Sequence, residues 1–192
     1  MCFILAMKNN QISFEARFIK PLPIKKYSYE TKSYMNTSSK LIEFDPTDLK
    51  DVKDLENIAK DFGGDSFANN IYIHAKYQNE HHPESKVRYL GITQQKEDLN
   101  NLDVSKILGV AEITNKMPNE AELDFLQVHP QYLKSYWPPS IKHTGTAIIN
   151  YLKECYNKIS LKSSANATFF YKKNGFTLVD RQKRLFEWKR PD

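Results

Sequence analysis

The segment spanning residues 87–147 constrains the fold more than any other. Three strand-like runs, 87–93, 107–114 and 120–128, follow one another. Each is short and carries β-branched or aromatic residues. The last two are separated by Asn115-Lys116-Met117-Pro118-Asn119, a hairpin-sized connection with turn chemistry. A proline-broken stretch, residues 129–141, then leads to a helix start near Thr144. A meander that feeds a helix–strand–helix–strand succession predicts an α/β (α+β) architecture, a mixed and mostly antiparallel central sheet flanked by helices.

The flanking sequence adds elements to that frame. Residues 11–35 alternate loosely and meet Pro21 and Pro23, so they read as an extended arm or edge strand, because proline cannot donate to a central ladder. Residues 40–44 form a short strand. Asp45-Pro46-Thr47-Asp48 turns the chain into a helix over about 49–62, with Val52, Leu55, Ile58, Ala59 and Phe62 on one face. Gly63-Gly64 stops it. Residues 67–77 fit a helix and a strand equally, and 81–85 form a loop. Further on, Ile148, Leu152, Cys155 and Ile159 fall at helical steps of 4, 3 and 4. Residues 158–162 read as a strand. Asn166 caps a short helix that ends at Asn174-Gly175. Two strands, 176–180 and 184–189, close the chain.

Charge gives the first functional pointer. Residues 1–106 hold 15 Lys/Arg and 15 Asp/Glu, whereas 107–192 hold 13 and 8 and supply the whole net charge of +5. A basic C-terminal third on a neutral body fits a polyanionic partner, either nucleic acid or a phosphorylated cofactor, and equally a solvated basic face. No apolar run approaches a membrane span. Residues 1–7 are too short for a secretory leader and lack a basic start. Cys2 and Cys155 give neither a disulfide framework nor metal spacing, so no metal and a cytoplasmic setting are expected.

Lys142-His143-Thr144-Gly145-Thr146-Ala147 follows a strand and opens a helix. A helix N-terminus presents unpaired N–H groups and partial positive charge. Gly145 lets an anion approach the backbone, and Lys142 adds a mobile cation. On its own this is also what an ordinary helix start looks like.

Three blocks together resemble the GNAT superfamily of N-acetyltransferases. The segment 142–147 is similar to its pyrophosphate signature, with Lys142 in place of Arg or Gln and with Gly145 and Ala147 matching. Residues 123–130, ending Leu126-Gln127-Val128-His129-Pro130, look like the strand that finishes in Val-x-Pro beside the pantetheine arm. Residues 166–176, including Asn166, Phe170, Tyr171, Lys173, Gly175 and Phe176, resemble the Asn-Tyr-Gly-Phe block. The likeness covers about residues 41–192, which it implies are the acetyltransferase domain, with 1–40 an N-terminal arm or edge-strand extension. Val128 and Gly145 are 17 apart, so about ten residues around 131–140, including Tyr136, Trp137, Pro138 and Pro139, look inserted. This stretch is read either as a wall of the acceptor site or as a packed surface loop.

The resemblance implies acetyl-CoA as cosubstrate, a primary amine on a small molecule or protein as acceptor, and N-acetyl transfer as the reaction. It implies cofactor contacts from Leu126, Gln127, Val128, Lys142, His143, Thr144, Gly145, Thr146, Ala147, Asn166, Phe170, Tyr171 and Lys173. Tyr171 matches the acid that reprotonates the thiolate. Two alternatives stay open: a member acting on a macromolecule, either a protein amine or an aminoacyl-tRNA, and a non-catalytic CoA-binding or partner-binding module. The basic tail, Arg181-Gln182-Lys183-Arg184 with Lys189-Arg190, lacks interleaved aromatic stacking residues in a clear groove pattern, so nucleic acid is not the favoured partner.

The base is sought in strand geometry. Alternation puts Glu122, Asp124, Leu126 and Val128 on one face of their strand, and Leu108, Val110 and Glu112 on one face of the preceding strand. A hairpin centred near Met117 sets Glu112 opposite Glu122. Glu112, Glu122 and Asp124 then crowd one patch, raise one another's pKa and attract a cationic amine. Glu122 lies six residues before Val128, where some members of the superfamily carry their base.

Overall fold

The computed structural model describes residues 17–64, 66–81, 86–133 and 139–191. Cys2, His82, Tyr136, Trp137 and Pro138 lie outside them. The strands are β1 (Arg17–Ser28), β2 (Ser33–Phe44), β3 (Val87–Thr93), β4 (Ile107–Met117), β5 (Glu120–Val128), β6 (Ile141–Lys142), β7 (Lys158–Lys162), β8 (Thr177–Asp180) and β9 (Leu185–Lys189). The helices are α1 (Leu49–Asp61), α2 (Phe67–His81), α3 (Thr144–Cys155) and α4 (Thr168–Lys173). All nine strands form one sheet in the order β6-β1-β2-β3-β4-β5-β7-β9-β8. Its pairs are antiparallel except β5–β7.

Strand alternation sends neighbouring residues to opposite layers. Ile42, Phe44, Tyr89 and Val110 pack with Leu55, Ile58 and Ile71 of α1 and α2. Leu41, Leu90 and Ile92 face the other way, with Ile148 and Leu152 of α3 and with Leu161 and Phe186. The α3 layer is pinned by Arg88. Its guanidinium grips Glu43 with two bonds (2.7 and 3.1 Å) and donates to the hydroxyls of Tyr151 and Tyr156.

At Pro21 and Pro23 strand β1 is an edge, because β6 pairs with it only at Lys25 and Lys26. Both prolines are exposed while Leu22 and Ile24 are buried. Strand β2 is longer than residues 40–44, since β1 templates it from Ser33 to Glu43. The ambiguous stretch is helical. Ala68, Ile71, Ala75 and Gln78 turn inward at steps of 3, 4 and 3.

The helical stripe through Ile159 does not hold. Helix α3 ends at Cys155, which is half-buried, and Ile159 belongs to β7. Among the described residues no helix is long and apolar enough to cross a membrane, and no group of His, Cys, Asp and Glu is placed to hold a metal ion.

Candidate active site

The sheet splits beside β5. Strands β5 and β7 pair in parallel only between residues 120–123 and 158–161. Beyond Leu123, β5 runs on to Val128 with no described strand on that side, and residues 124–128 are half-buried. The divergence begins at a β-bulge. Glu112 pairs with Phe125 and Ile113 with Leu123, leaving Asp124 as the extra residue. A bulge bends and twists its strand. The opening therefore lies at the carboxyl ends of parallel neighbours joined through α3, a recurrent place for ligands in sheets of this kind.

The bulge also sorts the side chains, and it corrects the expected faces. Leu126 packs into the α3 layer, and Val128 stands beside Gly145. Gln127 turns to the α2 side, where its Oε1 accepts the Ala68 N–H at 2.7 Å. Glu122 and Asp124 lie on that α2 side as well, so they do not share a face with Leu126 and Val128. Nor does Leu108 share one with Val110 and Glu112: Leu108 sits in the α3 layer and Val110 in the other, because a second irregularity separates Ile92 from Thr93 along β3–β4.

On the α3 side, the helix start is seated by two glycines. A Cβ on Gly109 would meet the Gln127 carbonyl at 2.9 Å and Thr144 at 3.1 Å, and one on Gly145 would meet the Phe170 ring at 3.1 Å. The three sequence blocks thus converge at Val128, Gly145 and Phe170. His143 turns β6 into α3 with φ +72° and caps nothing with its side chain. Ala147 N–H closes the first helical bond to His143 O at 2.8 Å, which leaves the N–H groups of residues 144–146 without a partner in the helix. Burial, followed by Lys25, Lys173 and Lys142, holds the His143 imidazole below its usual pKa. Three lysines from β1, β6 and the end of α4 therefore surround the helix start. Lys142 Nζ also lies 3.9 Å from the Tyr34 ring centre. The Thr144 hydroxyl is buried with no partner among the described residues, and Thr146 is half-buried beside it.

On the α2 side, the three carboxylates gather, but not in the expected register. The hairpin turns at Pro118-Asn119, with Asn119 at φ +63°. With that turn, the irregularity between Asn115 and Met117 and the bulge at Asp124, Glu112 faces Phe125 and Glu122 faces Thr114. Glu112 is buried, and both its oxygens lie close to His74 Nδ1, at 2.9 and 3.1 Å. Burial pushes the Glu112 carboxyl up to about 7, against the pull of His74 and with a small push from Asp124. Burial also raises Asp124, which accepts from the Thr114 hydroxyl at 2.7 Å and feels Glu122. Lys116 pairs with Glu122 at 2.9 Å.

Tyr171 packs against Phe170, Phe176 and Phe186. Burial pushes its phenol up to about 12, so it carries its proton at neutral pH. Its hydroxyl bonds to no described residue. Asn166 is exposed inside a 3-10 turn, Ala165–Ala167, and Ala167 rather than Asn166 precedes α4. The capping expectation fails because Ala167 N–H bonds back to Ser164 O and adds a turn before the helix.

Sequence reading missed His74 and Lys25. A helical reading of 67–81 would have put His74 on the flank of the buried stripe. Lys25 sits in the extension and comes near the helix start only through β1–β6 pairing. His129 is a clasp. Its Nδ1 accepts the Gln131 N–H, so its Nε2 donates to Asp61 at 2.9 Å and ties the end of β5 to the end of α1.

No family model matches the chain, and no curated protein matches it in sequence. Among solved structures, a Desulfovibrio desulfuricans protein assigned to the GNAT-family acetyltransferases is similar with a TM-score of 0.53 at 11% identity, covering 79% of this chain and 98% of that one. The Campylobacter jejuni N-acetyltransferase PseH aligns with a TM-score of 0.49 at 22% identity, over 80% and 99%. PseH in complex with acetyl coenzyme A aligns at 0.48 and 20%, over 79% and 99%. The chain has the fold of the GNAT N-acyltransferases.

Proposed function

We propose that the protein is an acetyl-CoA-dependent N-acetyltransferase that acylates a primary amine. One observation carries this reading: a split in the sheet whose two sides have opposite electrostatic character. The α3 side offers unpaired helix N–H groups, Lys25, Lys142 and Lys173, and an orphaned Thr144 hydroxyl. These fit a polyanion with a long amide-bearing arm. Its phosphates would lie over residues 142–147, between Lys142 and Lys173. Its amides would meet the open β5 edge at Leu126, Gln127 and Val128, much as an added strand does. Asn166 lies just past the end of β7, on the far side of the opening, and Phe170 backs the helix start. The α2 side carries Glu112, Asp124 and Glu122, which attract an ammonium group. Tyr171, still protonated at neutral pH, is suited to return a proton to the leaving sulfur.

Residues 41–192 hold all of these groups except Lys25, and we assign the chemistry to them. In a test, acetyl-CoA at about a hundredfold excess over its Kd should stabilise the fold by about 2.7 kcal/mol. At this size that raises the melting temperature by roughly 5–10 °C. A panel of amines with a free-thiol readout identifies the acceptor. An unchanged melting temperature at millimolar acetyl-CoA would overturn the reading.

A further inference from the structure

The geometry points to His74 as the group that takes the proton from the acceptor ammonium, with the buried Glu112 carboxylate holding its ring. This rests on the N-acetyltransferase reading above and names the base within it.

The three carboxylates are not equally available. Only 5% of the Glu112 side chain is exposed, and both its oxygens approach one histidine nitrogen. It cannot meet a substrate directly. Asp124 is committed to the Thr114 hydroxyl, and Glu122 to Lys116. His74, by contrast, has 50% of its side chain exposed. Once ionised, the Glu112 carboxylate is acceptor-only, so the Nδ1 it faces then carries the hydrogen and the lone pair of the neutral ring sits on Nε2. No described residue bonds to Nε2. A buried carboxylate that fixes the tautomer of a half-exposed imidazole is the arrangement that makes histidine a base in hydrolytic triads.

Place supports the same assignment. The ring of His74 lies 5.5 Å from that of Phe125, the first β5 residue past the bulge. His74 therefore overhangs the head of the split on the carboxylate side, opposite the lysines. The groups facing the pair are Tyr89 from β3, whose hydroxyl is donated to Gln78, then Asp124 and Glu122 from β5, and Lys116 beside Glu122.

The proton count closes. His74 Nε2 removes one proton from R–NH3+. The freed nitrogen pair forms the N–C bond to the thioester carbonyl carbon, and the C–S pair leaves on sulfur. The nitrogen gives up its second proton to solvent water as the amide forms, while Tyr171 gives its proton to sulfur and is reprotonated from solvent, so one proton is released overall. His74 returns the first proton to solvent.

The test uses the whole chain with the best amine from the panel. His74→Gln keeps a donor toward Glu112 and removes the base. It should lower kcat/KM roughly 10²–10⁴-fold at pH 7 and abolish the acidic limb of the pH profile, while the acetyl-CoA melting shift is retained. Added imidazole should restore part of the rate to His74→Ala. His74→Gln/Glu112→Gln should be no slower than His74→Gln alone, since Glu112 acts through His74. A His74→Gln protein with the wild-type rate and pH profile removes His74 from the chemistry and leaves the acetyltransferase reading standing. A wild type that binds acetyl-CoA yet releases thiol with no amine overturns both.

Discussion

Replacing Glu112 with Gln should make the protein more stable, and increasingly so as pH rises. The carboxyl is buried against Tyr89, Phe125 and His74, and burial is the largest cause lifting its pKa from 4.5 to about 7. For a carboxyl raised on folding, the contribution to stability is fully present below the unfolded pKa and is lost as pH climbs through the folded one. The wild type should therefore lose stability between about pH 4.5 and 7. The shift is about 2.5 pKa units, which at 1.36 kcal/mol per unit gives an upper bound of about 3 kcal/mol. Glutamine keeps an acceptor for the His74 N–H and has no charge to bury. The two proteins should be nearly equal at pH 5 and diverge toward that bound at pH 8. Urea midpoints at pH 5, 6, 7 and 8 measure the divergence. With m near 2–3 kcal/mol/M, the expected gap at pH 8 is roughly 1 M. Parallel pH dependences, or a less stable variant at pH 8, would show that the carboxylate is held charged by its histidine and would refute the burial argument.

Tyr171→Phe removes a hydroxyl that bonds no described residue, so the melting temperature should hold while turnover in the thiol assay falls roughly 10²–10⁴-fold. Lys25→Gln removes one of three lysines around the start of α3. It should weaken acetyl-CoA binding a few-fold, in line with up to about 1 kcal/mol for a charge that solvent still reaches, and binding measured at rising salt should show the difference fade. Deleting Asp124 removes the bulge residue without changing which side Phe125, Leu126 and Val128 face, and it loses a hydroxyl bond of about 1 kcal/mol. A straighter β5 would pair further along β7, so the acetyl-CoA melting shift should shrink. A full shift in the deleted protein would show that the bend does not open the split.

The elements were largely legible, and the placements between them were not. Residues 87–93, 120–128 and 158–162 read as strands from composition and punctuation, and the strands found have those bounds. The family resemblance puts Val128 and Gly145 in one cofactor site although they are 17 apart, and a Cβ on Gly145 would lie 3.5 Å from Val128. Register was the weak point. It depends on which two residues make a turn and on where a strand carries an extra residue. Neither Asn119 entering the left-handed region nor the extra residue at Asp124 leaves a pattern in side-chain polarity. A one-residue slip exchanges the faces of every later residue, so Leu126 and Val128 were assigned beside carboxylates that they back onto. His74 was illegible for another reason. The α2 sequence carries polar residues on much of its surface and has a weak apolar stripe, so its period was not decisive, and a residue's partners cannot be named before its element is.

That slip is what the site is made of. Without an extra residue, a strand that begins with Glu122 on the α2 side would continue its even positions there, and Leu126 and Val128 would follow the carboxylates. The bulge spends one residue, Asp124, to keep a third carboxylate on the α2 side and to return Leu126 and Val128 to the α3 layer. It bends β5 where β7 stops pairing, which exposes the backbone edge between the two sides. A single irregularity therefore separates the basic helix start from the acidic face and opens the passage between them. On the proposed chemistry, a polyanionic donor and a cationic acceptor must approach the same carbonyl from opposite directions. An unbroken ladder would pair the edge that the donor's amides need and would put apolar residues where the ammonium must arrive.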